Sequence, residues 1–214
     1  MTGNVTPQAV VFDIGNVLLE WQPEVYYDRW IGEDRRRALF AEVDLLGTNL
    51  AVDAGAPFRG SIYALAERRP EWAVEIREWH DNWIRIAAPL IPHSLRLMRA
   101  LRAKRVPVFA LTNFGDESFA YAASEYRFFN EFDRAYVSGR LKVIKPDPEI
   151  YRLVEADSGI APGRLLFVDD KAENVAAAAA RGWQVHHFLH PQGWAAALVA
   201  AGLLSAGEAV CRSR

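Results

Sequence analysis

The sequence predicts an α/β fold: a doubly wound parallel sheet with helices on both faces and a small inserted helical cap. Three observations lead there. Apolar runs of strand length recur along the chain, helical patterns separate most of them, and the connection after the first run is far too long for a loop. The 214 residues, 51% of them hydrophobic, suffice to bury one such core.

The strand candidates are "AVVFDI" (9 to 14), "VPVFALT" (106 to 112), "RAYVS" (134 to 138), "LLFVD" (165 to 169) and "WQVHHF" (183 to 188). Most are too uniformly apolar for a half-exposed strand, as a parallel sheet covered on both faces requires. Between them, "PHSLRLMRALRAKR" opens on proline and closes on positive charge. "PEIYRLVEAD" carries an acid in its first turn, and "AENVAAAAARG" is alanine-rich and stops at Gly182. A final helix is expected around Trp194 to Leu204, followed by a frayed end.

From Leu19 to Ala88 the chain runs about 70 residues, where loops in α/β units take about 2 to 6. That stretch must fold for itself. It reads as helices in "PEVYYDRWIGEDRRRALFAEV", "PFRGSIYALAERR" and "PEWAVEIREWHDNWIRIA", with Trp72, Ile76, Trp79 and Trp83 at helical spacing as their packed core. The expected domains are therefore a core of residues 1–18 and 89–214 and a helical cap of residues 19–88.

Composition excludes several classes. With 25 basic against 27 acidic side chains and a formal net charge of -2, no large field attracts nucleic acid or an anionic membrane. The one basic cluster, Arg35 to Arg37, reads as a solvated helix face. A single cysteine, Cys211, permits neither an internal disulfide nor a thiolate zinc site, which fits a reducing, cytoplasmic setting. No run approaches the ~18 apolar residues of a membrane span. His186 and His187, adjacent in a strand, point to opposite faces and do not serve one metal.

The charged residues fall at the strand ends. Asp13 ends the first run, Thr112 and Asn113 the second, and Asp169 with Asp170 the fourth, while Lys145 lies in a loop in "VIKPDPEIY". This is the edge at which a doubly wound sheet places its site. Taken singly, each has an ordinary reading as a helix cap, a strand residue or a surface charge. Jointly they bring three carboxylates to one cleft with one lysine to balance them. At 4 Å and an effective dielectric near 20, two like charges repel by about 4 kcal/mol. A divalent cation resolves that conflict, and Mg²⁺ prefers such oxygen ligands. A phosphorylated substrate follows: Asp13 attacks phosphorus, while Lys145 and Thr112 stabilise the transferred oxygens.

The motifs "VFDIGNV", "ALTN", "IKPDPEIY" and "FVDD", in this order and with the helical insertion after the first, resemble the haloacid dehalogenase superfamily over nearly the whole chain. The resemblance implies a Rossmann-like core, Asp13 as nucleophile, and Thr112, Asn113 and Lys145 at the phosphate. It implies Mg²⁺ bound by Asp13, Asp170 and the backbone carbonyl of Gly15, with Asp169 acting through water or by orienting the site. Most phosphatases of the family carry a second aspartate where this chain has Gly15, to protonate the leaving oxygen and later activate water. Some phosphatase-like members share the "DxGN" pattern with a retained acidic pair. Here Glu20, Asp116 or a cap residue is left to supply the proton, unless the leaving group needs none.

A small phosphorylated metabolite is the expected substrate, with sugar phosphates ahead for their good leaving group and Arg59 a weak candidate for substrate contact. Two alternatives stand. A metal-independent 2-haloacid dehalogenase needs no acid, but the acidic pair would repel its anionic substrate. A phosphate-binding module without turnover would explain Gly15 but not the remaining constellation. Lys171, where relatives often have asparagine, lies close enough to the acidic pair to alter cation affinity, and Lys142 stands where many relatives have glycine.

Overall fold

A computed structural model of the chain describes residues 5–210. In chain order the elements are β1 (Ala9–Phe12), α1 (Pro23–Ile31), α2 (Glu33–Glu42), α3 (Leu45–Asp53), α4 (Phe58–Arg68), α5 (Ala73–Asp81), α6 (Trp83–Ile86) and α7 (Pro92–Ala103). They continue with β2 (Val108–Thr112), α8 (Asp116–Glu125), β3 (Arg134–Val137), α9 (Ser138–Leu141), α10 (Pro148–Ser158), β4 (Leu165–Asp169), α11 (Ala172–Ala180), β5 (Gln184–His187), α12 (Pro191–Ala200) and α13 (Ala206–Ala209). Cys211 lies outside the described residues. Among the described residues no helix is long and apolar enough to cross a membrane.

The five strands form one parallel sheet in the order β3-β2-β1-β4-β5. Every residue of β1, β2 and β4 is buried, which is why these three read as unbroken apolar runs. Val10, Phe12, Val108, Ala110, Leu166 and Val168 face one core, shared with α7, α12 and the insertion. Ala9, Val11, Phe109, Leu111, Leu165 and Phe167 face the other, under α10 and α11. The edge strands are more exposed, and their sequences are accordingly more polar.

Local signals set the helix ends. Asp147 caps α10 by accepting from the Glu149 N–H, Pro148 occupies its first turn, and Gly159 ends it at φ +67°. Three expectations need correcting. The single helix expected over 23–43 is two, because Gly32 breaks it at φ +84°. Helix α3 was not expected; Asp44 starts it by accepting from the Gly47 N–H at 2.9 Å. The helix at the C-terminal end starts earlier, at Pro191, and is followed by α13, which Ser205 and Glu208 close with reciprocal capping bonds.

The insertion packs on itself and on the sheet. Trp79 and Ile76 are fully buried and Trp72 and Trp83 nearly so, as expected of the tryptophan stripe. Trp21 joins Trp79 and Trp83, and Trp83 meets Phe114 of the loop after β2, with ring centroids at 5.8, 5.7 and 5.2 Å. Arg35 and Arg37 lie on an exposed helix face, as expected, and Arg36 is half-buried. Arg35 pairs with Glu75 and lies over the Trp72 ring, Arg36 bonds Asp28 at 2.8 Å and Arg37 pairs with Glu33. Each cation thus serves a helix contact rather than an anion.

The chain enters and leaves the insertion side by side: Leu19 bridges Leu90, and the Ile91 N–H donates to the Leu18 carbonyl at 2.8 Å. A second junction forms after α3. Ser138 Oγ donates to the Asp53 carbonyl at 2.6 Å and accepts from the Phe114 N–H at 2.9 Å, while Lys142 Nζ donates to the Gly55 carbonyl at 2.9 Å. Glycine permits this approach: a Cβ on Gly55 would lie 2.4 Å from Lys142 Nζ and 2.8 Å from the Gly139 carbonyl oxygen. Ser138→Ala removes the shared hydroxyl and should cost about 1–3 kcal/mol. A thermal melt should then fall by roughly 2–10 °C; an unchanged melting temperature would show that this junction contributes nothing.

Candidate active site

The strand order brings the acids together. Because β1 leads on to β2 on one side and its other neighbour β4 leads on to β5 on the far side, the connections after β1 and β4 diverge and open a crevice at their C-terminal ends. Phe12 pairs with Val168, so the residues that follow, Asp13 and Asp169, sit side by side. Asp13, Asp169 and Asp170 each place a carboxylate oxygen within 4.8 Å of the others. Asp13 and Asp170 border a cavity of about 120 Å³ that is also lined by Gly15, Thr112 and Lys145.

Lys145 is the counter-charge. It is 3% exposed, and its Nζ lies 2.9 Å from Asp13 Oδ1 and 2.6 Å from Asp169 Oδ2. Burial disfavours its charge, but the two carboxylates outweigh burial and hold the ammonium above its ordinary pKa. Both atoms of the Asn113 amide position this lysine: Nδ2 donates to the Lys145 carbonyl at 2.9 Å, and Oδ1 accepts the Lys145 N–H at 2.8 Å. The Asn113 side chain, expected at the substrate, borders the cavity and also braces the lysine loop.

The two members of the acidic pair differ. Asp169 is fully buried and accepts from Lys145, from the Lys171 N–H at 2.8 Å and from Asn174 Nδ2 at 3.0 Å to both oxygens. It does not border the cavity, and the geometry suits an orienting role. Asp170 does border it and accepts from Asn16 Nδ2 at 3.0 Å. Its main-chain carbonyl accepts from His187 Nε2 at 2.9 Å, whereas His186 turns to the other face and stacks on Trp194.

The turn after β1 is built to hold this edge. The Ile14 carbonyl accepts from the N–H groups of Val17, Leu18 and Leu19, and Asn16 takes φ +54°, a conformation that asparagine tolerates. Asn16 Oδ1 accepts the Trp21 N–H at 2.9 Å, so one side chain ties the turn to both Asp170 and the insertion. Thr112 is 1% exposed at the end of β2 and borders the cavity, and among the described residues its hydroxyl has no protein hydrogen-bond partner. That leaves it able to donate to a bound anion. Oxygen donors alone, with no histidine or cysteine among them, fit a hard cation such as Mg²⁺, for which Gly15 offers only main-chain atoms.

Sequence reading did not single out Asn16, Asn49, Asp53, Trp21 or Asn174. Asn16 and Asn174 stand inside or beside the quoted motifs, but Asn49 and Asp53 belong to the unexpected helix α3. Glu20 bonds Gln22, and Asp116 is paired with Arg140 at 2.6 Å; neither borders the cavity. Nor does Arg59, whose guanidinium lies 4.1 Å over the Tyr63 ring. Lys171 borders the cavity with an exposed side chain.

Burial, reinforced by the charges of Asp169 and Asp170 and opposed by Lys145, pushes Asp13 up to about 7. Burial likewise raises Asp170, against the bond from Asn16. A carboxyl raised by folding binds its proton more tightly in the native state, so its contribution to stability is lost as pH climbs towards 7. Without divalent cations, Asp13→Asn should therefore gain in melting temperature over the parent as pH rises from 5 to 8. A gap that stays constant or narrows would show that Asp13 is not held at a cost.

A family model described as haloacid dehalogenase-like hydrolase matches residues 7–182. The sesquiterpene phosphatase astK of Aspergillus oryzae is 34% identical over 198 residues, which cover 83% of this chain and 87% of that protein. Among solved structures, a HAD family enzyme from Bacteroides thetaiotaomicron superposes with a TM-score of 0.67 at 22% identity, covering 85% of this chain and 93% of that one. The same enzyme has been crystallised with magnesium and inorganic phosphate. The L-2-haloacid dehalogenase of Xanthobacter autotrophicus superposes with a TM-score of 0.61 at 20% identity, over 92% of this chain and 84% of that one.

Proposed function

The chain belongs to the haloacid dehalogenase-like hydrolases, and from that membership we propose that it is a Mg²⁺-dependent phosphatase of a small phosphomonoester, acting through an aspartyl-phosphate on Asp13. The observation that carries the reading is the convergence of Asp13, Asp169 and Asp170 around the single buried ammonium of Lys145. One positive charge cannot balance three negative ones in a buried site.

Asp13, Asp170 and the Gly15 main chain would hold the cation, which when bound neutralises the carboxylates and the phosphoryl oxygens. The protein's own groups do the rest. Lys145 holds its ammonium 2.9 Å from Asp13 Oδ1, an ion pair that fixes that carboxylate at the cavity wall. Asp169 anchors Lys145 from behind. Thr112 has a hydroxyl to give to a phosphoryl oxygen, and Asp13 attacks phosphorus as the ester bond to the leaving oxygen breaks. Residues 19–88 act as a cap over a core of 1–18 and 89–214, and screen the reaction from water.

Leu19, Trp21, Leu50, Trp83 and Phe114 give the cavity an apolar wall, interrupted by Asn49, Asp53 and Ser118, and among the described residues no arginine or histidine borders it. Such a wall favours a leaving group with apolar surface over the sugar phosphate expected from the sequence, and the sesquiterpene phosphatase relative supports that preference. Likeness to a haloacid dehalogenase concerns the fold. Asp170, bordering the cavity, would repel a haloacid anion bound without a cation.

The purified protein should release p-nitrophenol from p-nitrophenyl phosphate only when Mg²⁺ is present, and Asp13→Asn should abolish that release. Release of halide from 2-chloropropionate without Mg²⁺ would establish the dehalogenase instead. Saturable phosphate binding with turnover of neither compound would establish a binding module.

A further inference from the structure

An alkyl phosphate needs a proton for its departing oxygen, and Gly15 has none to give. Among the described residues only three carboxylic acids border the cavity: Asp13, Asp170 and Asp53. The first is the nucleophile and the second faces the cation. We propose that Asp53, at the C-terminal end of α3, is the general acid and base of this site, replacing the aspartate that position 15 lacks. The assignment rests on the phosphatase reading above.

Asp53 is not one of the three carboxylates that converge on the cation position. It enters from the insertion, on the same helix face as Asn49 and Leu50, which also border the cavity. Its orientation is fixed from several sides. Asn49 Nδ2 donates to Asp53 Oδ2 at 3.0 Å. The indole N–H of fully buried Trp79 donates to Asn49 Oδ1 at 3.1 Å; an indole only donates, so the amide must present its NH₂ to Asp53. The Asp53 main-chain carbonyl accepts from Ser138 Oγ, and the following turn is held by Lys142. Asp53 thus sits where the insertion is fastened to the sheet, and its position is set by the core.

Its proton affinity suits the role. Burial, with a contribution from the Asp13 charge, pushes Asp53 up to about 8 against the Gly115 N–H and the Lys171 and Lys145 charges, so near neutral pH it holds a proton. In the first step a bond forms from Asp13 to phosphorus and the bond from phosphorus to the leaving oxygen breaks. The electron pair stays on that oxygen, which takes the Asp53 proton. In the second step water attacks the aspartyl-phosphate, Asp53 takes a proton from the water, and the phosphorus bond to Asp13 breaks to release phosphate.

Position 15 offers an internal rescue. A Cβ there would meet nothing closer than Trp21 Cβ at 3.8 Å, so Gly15→Asp has room to enter. The experiment is rapid-mixing kinetics with Mg²⁺ on p-nitrophenyl phosphate and on an unactivated alkyl phosphate. Asp53→Asn should still release a burst of p-nitrophenol, followed by turnover slowed by about 10² to 10⁴, because the phosphoenzyme persists. With the alkyl phosphate the first step itself should slow by about that factor. Adding Gly15→Asp to Asp53→Asn should restore part of the alkyl phosphate activity.

Parent-like kinetics of Asp53→Asn on both substrates would overturn the assignment. So would equal loss of the first step on both, without rescue, which marks a structural role. If the parent protein shows no Mg²⁺-dependent turnover of p-nitrophenyl phosphate, the phosphatase reading falls and takes this assignment with it.

Discussion

Lys145 Nζ stands between the carboxylates of Asp13 and Asp169, almost wholly removed from solvent, and much of the surrounding structure exists to keep it there. Isolated charges are costly to bury, and each becomes tolerable only through partners of opposite sign and directed hydrogen bonds. Asp169 therefore has three kinds of donor, and the loop carrying Lys145 is gripped by Asn113 from the end of β2. The arrangement leaves an excess of negative charge at the cavity wall. On the proposed function, that excess is what a cation, and through it a phosphoryl group, would neutralise.

The sheet supplies the geometry at little cost. With β1 in the middle and β4 beside it, two acids distant in sequence become neighbours by register alone. The insertion supplies what the sheet lacks: an apolar wall from Trp21, Leu50 and Trp83, and an aspartate. Its two junctions differ in kind. The one near Leu19 and Leu90 is an isolated antiparallel bridge held by main-chain hydrogen bonds. The one at Asp53, Gly55 and Ser138 is a set of side-chain bonds that holds α3 against the loop after β2.

Most of the core was legible because burial on both faces writes itself as continuous apolar runs, and polar residues interrupt those runs at their ends. Asp13, Thr112 and Asp169 were recognisable for that reason. Helix α3 was not: "LLGTNLAVD" has Gly47 and Asn49 inside it and buries only Leu45 and Val52, the latter in close approach to Gly115, which leaves no clear apolar stripe. Asp53 went unread with it. The role of Asn113 was also hidden, because sequence places an amide near a site but does not reveal that a loop 32 residues later claims both its ends. The partners of Arg35 and Arg36 were hidden because Glu75 and Asp28 come from other helices.

The central claim is that this acidic cluster is completed by a divalent cation, and calorimetric titration of Mg²⁺ into the protein near pH 7.5 tests it directly. The account predicts saturable binding accompanied by proton release, since Asp13 holds its proton weakly at that pH and must give it up to bind. It also predicts binding weakened at least ~10-fold in Asp170→Asn. No saturable heat at millimolar Mg²⁺, or equal binding by that variant, would contradict it.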